Sequence, residues 1–572
     1  MNKTITLLLT LSFNALFSQI SIQEYNLLKT QIPQETVHLQ VNTNVVLAGE
    51  FLNYKSYHII PKNHTLSNIS TINYVTLLAS DNTVIFNHKL LVKNSVSYGD
   101  FFIPPTIKTG HYKLISYTNW TRNNVENPFS EVDIFIINPY STESANHESN
   151  ISEDIVEVLN TEALSRDLIS DENLKISSNK INYRSREKVE ITITNTYTNL
   201  KNASISVRKT DSVKVINKKV EHPKTTNYAP TTYYLPELRG ELVSGKITSN
   251  NGASLKNKSI SLSIAGTQHF IFKNVTTNDA GQFHFTINEN YSHPSAFVQV
   301  QELNAEDYAI EIYESTFHPK QLKFNQLLLN ENIKDWVKNQ SINNQVENAY
   351  YNVKTDSIIA RNYKTSFYDP LATTYKLNDF TRFKTMKETF IEVIHGAAII
   401  NETFEVRDFN NTYVKATASK HPLVLIDGVL ITNHSDAINY NPYDVDTISL
   451  VEGQYTYGSK IYNGIISFKT IKNEFNLNYI SNKGDFIIET QLQKPEEEKI
   501  YYSPNYDLND SALKRIPDFR NQLLWLPNIE LDTNKNNFSF FTSDNSGTYE
   551  IIIEGFTKSG KHIKANTFIT VN

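Results

Sequence analysis

Fifteen histidines are scattered along the 572 residues. None stands in a spacing that builds a hydrolytic zinc centre: there is no HExxH, and no two lie four apart on one helix face. His395 sits among Val393, Ile394 and Gly396, and His421 precedes Pro422. Both read as structural side chains rather than as a base or a ligand. No GxSxG elbow, P-loop or dinucleotide-type glycine run occurs. The seventeen glycines stand mostly at turns. Cysteine is absent, which excludes thiol nucleophiles, zinc–thiolate sites and disulfides. Oxygen-rich stretches, Asn278-Asp279 and Asp544-Asn545-Ser546, have the donor type a calcium ion takes. The same residues also make the Asx-type turns that join strands, and that is the reading adopted. The glutamates at 496–498, beside Lys494 and Lys499, read as a solvated charge run. No catalytic residue, metal ligand or cofactor is therefore assigned.

What does concentrate recognition chemistry is GQYTYGSKIYNG, residues 453–464. Tyr455, Tyr457 and Tyr462 flank Gly453 and Gly458 in what reads as a loop too short to bury three rings. Aromatic rings of this kind carry much of the energy of interfaces. The expectation is a candidate interaction surface that either docks a partner or packs on the segment 521–572.

The elements that must position this stretch form an α+β unit. The runs 424–426 and 429–431 flank Asp427-Gly428, a hairpin-type turn. The run 447–451 is a further strand, and 465–469 closes the unit after Asn463-Gly464. A helix near 382–391 is expected to pack on this sheet through Arg382, Phe383, Met386, Phe390 and Ile391.

Upstream, short alternating apolar and polar runs between turns predict antiparallel sandwiches. The expected fold is mainly β: tandem sandwiches plus one small α+β unit, without a barrel. Residues 1–18 read as a signal peptide, with Lys3, the apolar run 5–17, and cleavage between Ser18 and Gln19. A first sandwich is expected over 36–140, a linker over 141–172 and a second, partial sandwich over 173–235. A third sandwich is expected over 240–315, with strands at 243–247, 259–264, 268–271 and 283–287. A connector over 320–375 follows, in which Leu327, Ile333, Trp336 and Ile342 recur at helical intervals across 324–350. The α+β unit occupies 376–475, and 476–572 is a terminal β segment with four strands after 521. No later apolar run is long enough to span a membrane. A net charge of −6 argues against nucleic acid as a partner.

The pattern PLVLIDG, NPYDVDTISLVEG, YGSKIYNGIISFKT resembles the plug domain of TonB-dependent outer-membrane receptors. In those receptors a 22-stranded barrel follows the plug and takes on the order of 200 residues. Only 102 residues follow Thr470 here, so a plug-like module without its pore is expected. Gly49-Glu50, Tyr98-Gly99, Ile103-Pro104 and GHYKLISYTNWTRN resemble macroglobulin-like domains of Bacteroidota envelope proteins. The third unit, with Asp279-Ala280-Gly281-Gln282-Phe283, resembles the carboxypeptidase-regulatory-like sandwich. These resemblances cover most of 37–572. They imply a non-enzymatic binding or scaffold protein of the cell envelope, in the periplasm or at the outer membrane, with a protein partner. The alternative they leave open is an accessory of TonB-linked nutrient uptake, and more remotely an envelope enzyme. Four Asp-Ser/Thr-apolar tripeptides resemble the O-glycosylation signal of Bacteroidota. Ser212, Ser357 and Ser511 are the candidate acceptors, and Thr447 is set aside as a sheet residue.

Overall fold

A computed structural model describes residues 22–572, apart from 142–150, 161–167, 199, 211–212, 219–232, 267–268, 314–316, 318, 320–321, 409–420, 473–474, 509–512 and 514. The chain is mainly β. Among the described residues no sheet closes on itself, and no helix is long and apolar enough to cross a membrane.

A first pair of sheets faces across one core. Phe51–Ile60 lies between Thr36–Val41 and Val96–Phe102, and opposite it Gly110–Tyr117 and Ile72–Leu78 pair at the centre of a five-stranded sheet. Leu52, Val75, Leu77, Leu114 and Ile134 are fully buried between them, as strand alternation requires of inward positions. A second sandwich is assembled from two distant pieces of chain. Lys188–Asn195 pairs with Asn534–Phe541, while Leu200–Lys209 inserts between Gln522–Leu531 and Gly547–Phe556. Ile191, Ile205, Val207, Ile551 and Ile553 form its core. In the third sandwich, Glu241–Ser249 and Ser259–Ile264 are the central strands, and the distant strand Ile487–Gln491 completes one edge.

The α+β unit carries the sheet Thr373–Lys376, Val445–Tyr457, Lys460–Thr470, Leu423–Ile426, Val429–Leu430, with helices Met386–Glu392 and His434–Ile438. Thr385 and Glu388 form a reciprocal capping box on the first helix, which satisfies two of its free N–H groups. Asp427 and Gly428 both take positive φ (50° and 86°), the signature of a type I′ turn. The Asp427 carboxylate locks that turn by accepting from the Thr470 N–H at 2.7 Å and from its hydroxyl at 2.6 Å.

Two polar joints tie these bodies together. At the seam between the first and second sandwiches, buried Lys55 donates to the Asn202 carbonyl at 2.6 Å. Tyr57 donates to the Glu554 carbonyl at 3.1 Å and packs its ring on Phe556. Gly560 lies against the His64 carbonyl, where an added Cβ would stand 1.6 Å from oxygen. At the joint between the first and third, Lys89 pairs with Glu241, and Tyr291 donates to the same carboxylate at 2.7 Å. Beside them Glu237, 1% exposed, accepts from the Tyr74 hydroxyl at 3.2 Å and the Leu242 N–H at 3.1 Å.

Several expectations are corrected. The acidic stretch expected as a linker contains the strand Ile151–Asn160, held between Val213–Lys218 and Phe324–Leu329; Val156 and Val158 point into an apolar cluster that its own sequence neighbours do not supply. The helical pattern of 324–350 begins as that strand Phe324–Leu329, and only Lys334–Ala349 is α-helix. Ile342 is exposed on it. The strand expected at 268–271 is Ile271–Thr276. Ile391 is also exposed, while Met386 and Phe390 face the core, because the one-turn spacing of 386 and 390 leaves 391 on the far side. The closing strand, expected over 465–469 after Asn463-Gly464, begins earlier and includes that pair. The pair lies within Lys460–Thr470, where Gly464 takes a φ of 88° opposite a register shift between Val451 and Gln454, a β-bulge.

Candidate functional site

Gly49, with φ 95°, turns the chain between two strands of the first sandwich and presents Glu50 inward. A Cβ at Gly49 would stand 3.1 Å from the Asn348 amide, so glycine admits the helix Lys334–Ala349 close against this turn. That helix buries polar residues, Gln340, Ser341 and Asn344, because its counterpart is a carboxylate. Gln340 donates to Glu50 Oε1 at 2.6 Å and Asn344 to the same oxygen at 3.2 Å, while Arg208 from the second sandwich reaches Oε2 at 3.0 Å. A buried charge tolerates its environment only when paired and hydrogen-bonded in this way.

Beside this nexus opens a cleft of about 180 Å³, walled by Glu50 and Phe51, helix residues Asn344, Glu347 and Asn348, then Tyr351, Lys354 and Asp356, the pair Tyr501-Tyr502, and Arg520, Asn521, Gln522, Leu524 and Trp525. Its charges are internally compensated. Lys354 sits 2.8 Å from both Glu347 oxygens, and Arg520 makes a two-point pair with Asp518, 2.7 Å on each arm. Burial pushes the Asp356 carboxyl up, against the Tyr502 N–H that donates to it at 2.8 Å. Phe51 and Tyr351 stack with centroids 6.0 Å apart, and Tyr351 is 44% exposed. Two donors, the Trp525 indole N–H and the Tyr502 hydroxyl, are buried without a partner among the described residues. Leaving such groups unpaired costs on the order of 1–3 kcal/mol each.

Among the described residues no histidine, serine or threonine lines the cleft, and its carboxylates are held by cations or amides. The volume is below that of drug-sized pockets and suits one side chain or one ring.

The tyrosines singled out in the sequence lie elsewhere. Residues 453–464 are not a loop but the far end of the hairpin Val445–Tyr457/Lys460–Thr470, turning at Gly458. Tyr462 is 1% exposed and donates to Gln301 Oε1; Tyr457 donates to the Phe272 carbonyl at 2.5 Å and stacks on Phe272, with the Phe367 ring centroid 4.2 Å away; Tyr455 donates to the Phe367 carbonyl. The neighbour is thus the third sandwich and the 367–368 segment, and not 521–572, because strand Ile271–Thr276 offers an aromatic face there. Ser357 is exposed on a two-residue strand, and Thr447 is half-buried. Ser212, Ser511, Ser18 and Gln19 lie outside the described residues. Asn278 accepts from the Ala280 and Gln282 N–H groups, and Asp279 pairs with Lys256. Asp544 is clamped by Arg186 at 2.7 and 2.6 Å. His395 is exposed. The cleft residues escaped sequence reading because they come from separated segments of the chain; the one local signal is Glu50, an acidic residue inside an apolar strand start.

No protein-family profile matches the sequence, and no curated protein matches it. Solved structures similar to it include Escherichia coli alpha-2-macroglobulin activated by porcine elastase (7% identity, covering 94% of this chain and 44% of that one, TM-score 0.24). Salmonella alpha-2-macroglobulin reacted with methylamine is similar at 7% identity, 94% and 40% coverage and TM-score 0.24. Dimeric latent PorU from Porphyromonas gingivalis is similar at 8% identity, 52% and 34% coverage and TM-score 0.17. The chain spans less than half the length of these proteins. Likeness at these scores lends nothing to a functional assignment.

Proposed function

We propose that this chain is a non-enzymatic binding or scaffold protein of the cell envelope, whose first two sandwiches and the helix Lys334–Ala349 hold one aromatic, charge-compensated cleft toward a protein partner. The observation that carries the reading is a cleft that presents the aromatic side chains of Phe51 and Tyr351 while its ionic groups already neutralise one another. Such a lining favours an uncharged side chain or ring inserted by the partner over a free ion. The plug-like unit serves as structure, since its aromatic hairpin is engaged within the chain.

The test places a photo-crosslinking amino acid at Tyr351, at the mouth of the cleft, in intact cells of the producing organism. A discrete adduct is expected, and it should be lost in Phe51→Leu, which removes one aromatic wall of the cleft. No adduct, or one indifferent to Phe51→Leu in a variant that melts like the wild type, refutes the reading.

A further inference from the structure

At the seam between the first and second sandwiches, two side chains of one hairpin meet a third from a distant strand. His38 is on strand Thr36–Val41, Glu554 on Gly547–Phe556 and His562 at the start of His562–Val571. His562 Nε2 is 3.0 Å and His38 Nε2 3.5 Å from the same oxygen, Glu554 Oε1. One ligand atom from each residue lies within 4.8 Å of the others. Zinc–nitrogen and zinc–oxygen bonds of roughly 2.0–2.2 Å set the edges of a tetrahedron at about 3.3–3.5 Å. Two of the three edges here are already close to that length. The two imidazole side chains are each 40% exposed, so ring rotation toward a common ion meets little resistance, and a fourth position faces solvent.

We propose that His38, Glu554 and His562 form a binding site for a divalent transition metal of the zinc type, bridging the two sandwiches. Two imidazoles and a carboxylate select borderline ions such as Zn²⁺ over Ca²⁺ or Mg²⁺, which take oxygen donors. The carboxylate is supported in the way ligating carboxylates are: Lys564 holds the other oxygen, Oε2, at 3.1 Å, leaving Oε1 to the histidines. The rings of His38 and His562 stand 5.0 Å apart, both against Phe556, whose apolar edge walls one side. A bound ion would join residues far apart in the sequence, and would brace the seam already formed by Lys55, Tyr57 and Gly560.

The test titrates the full chain, freed of metal, with Zn²⁺ by calorimetry and with Co²⁺ by visible absorption. The expected result is a single zinc equivalent that raises the melting midpoint, and a Co²⁺ spectrum of four-coordinate intensity. Binding should weaken at least tenfold in both His38→Gln and His562→Gln, whose exposed positions leave the fold intact. Zinc binding that is equal in wild type and in either well-folded variant places the ion elsewhere and overturns the proposal. Absence of binding at millimolar zinc overturns it as well. Should one variant fail to fold, the other variant and the wild-type Co²⁺ spectrum decide.

Discussion

Replacing Glu237 by glutamine should remove a defined pH dependence from the stability of the joint between the first and third sandwiches. The Glu237 carboxyl is buried, its Oε2 has no partner among the described residues, and burial pushes its pKa from 4.5 up to about 7 despite the nearby Lys89 charge. Between pH 4.5 and 7 the folded chain therefore keeps a proton that the unfolded chain has released. The unfolded state binds fewer protons across that window, so stability falls as pH rises through it and is level outside it. A shift of this size corresponds to about 3 kcal/mol at full development. A glutamine side chain is neutral at every pH and keeps the shape. Relative to wild type, Glu237→Gln should gain up to about 3 kcal/mol between pH 4.5 and 8, whatever constant offset its altered hydrogen bonds impose. His88 and His434 act with the opposite sign, since burial lowers both to about 4; their contribution is present above pH 6.5 and is lost as pH falls toward 4. These terms cancel in the difference between the two proteins, which is why urea melts of both across the range are the assay. A difference that does not change with pH refutes the assignment of a protonated carboxyl at this joint.

Gly428→Val places a Cβ 2.2 Å from the Phe270 ring at a φ of 86°, and should destabilise the α+β unit by about 2–4 kcal/mol; an unchanged thermal melt would discard the turn. Gly560→Ala drives a methyl into the His64 carbonyl, so limited proteolysis should cut the hairpin 547–571 faster than in wild type; equal rates would mean that the seam gives way without cost. Val158→Asp puts a charge into the cluster of Leu47, Phe135 and Ile333 and should cost about 3 kcal/mol or more, whereas a true linker would tolerate it within about 0.5 kcal/mol. Trp525→Phe removes a buried, unpaired donor and should leave the stability within about 1 kcal/mol of wild type in urea melts; a large loss would show that the indole has a structural partner.

Local chemistry was legible in the sequence wherever it is decided within a few residues. Asp427-Gly428 announces a turn because few residue pairs tolerate two successive positive φ angles, and 259–264 alternates cleanly enough to be placed residue for residue. What escaped depends on partners far away in the chain. Strand Ile151–Asn160 is acidic and serine-rich on the page and becomes a strand only between two later strands. Helix Lys334–Ala349 buries glutamine and asparagine, so an apolar period searches for the wrong face. Tyr457 and Tyr462 read as exposed because the surface that covers them, built around Phe272 and Phe367, lies far upstream. The approach of His38 to the hairpin that carries Glu554 and His562 has no signature in spacing at all.

The interleaving of the second sandwich has a consequence for how the molecule comes into being. Strand Leu200–Lys209 is flanked on both sides by strands that begin at Gln522 and Gly547. At roughly 5–20 residues per second of synthesis, its neighbours arrive about 15–60 s after it does. During that interval Ile205 and Val207, destined for a fully buried core, belong to a two-edged strand with open N–H and C=O groups, a template for the wrong chain. Meanwhile the first sandwich, whose strands all lie before Asn138, already has all of its strands. The third sandwich lacks only its Ile487–Gln491 edge until late in synthesis. The molecule therefore closes last where Leu200–Lys209 meets the strands after Gln522, and a chain stopped short of that point would be a string of folded bodies interrupted by one sticky gap. Completion of the hairpin 547–571 is the event that covers both edges of Leu200–Lys209 and removes that hazard.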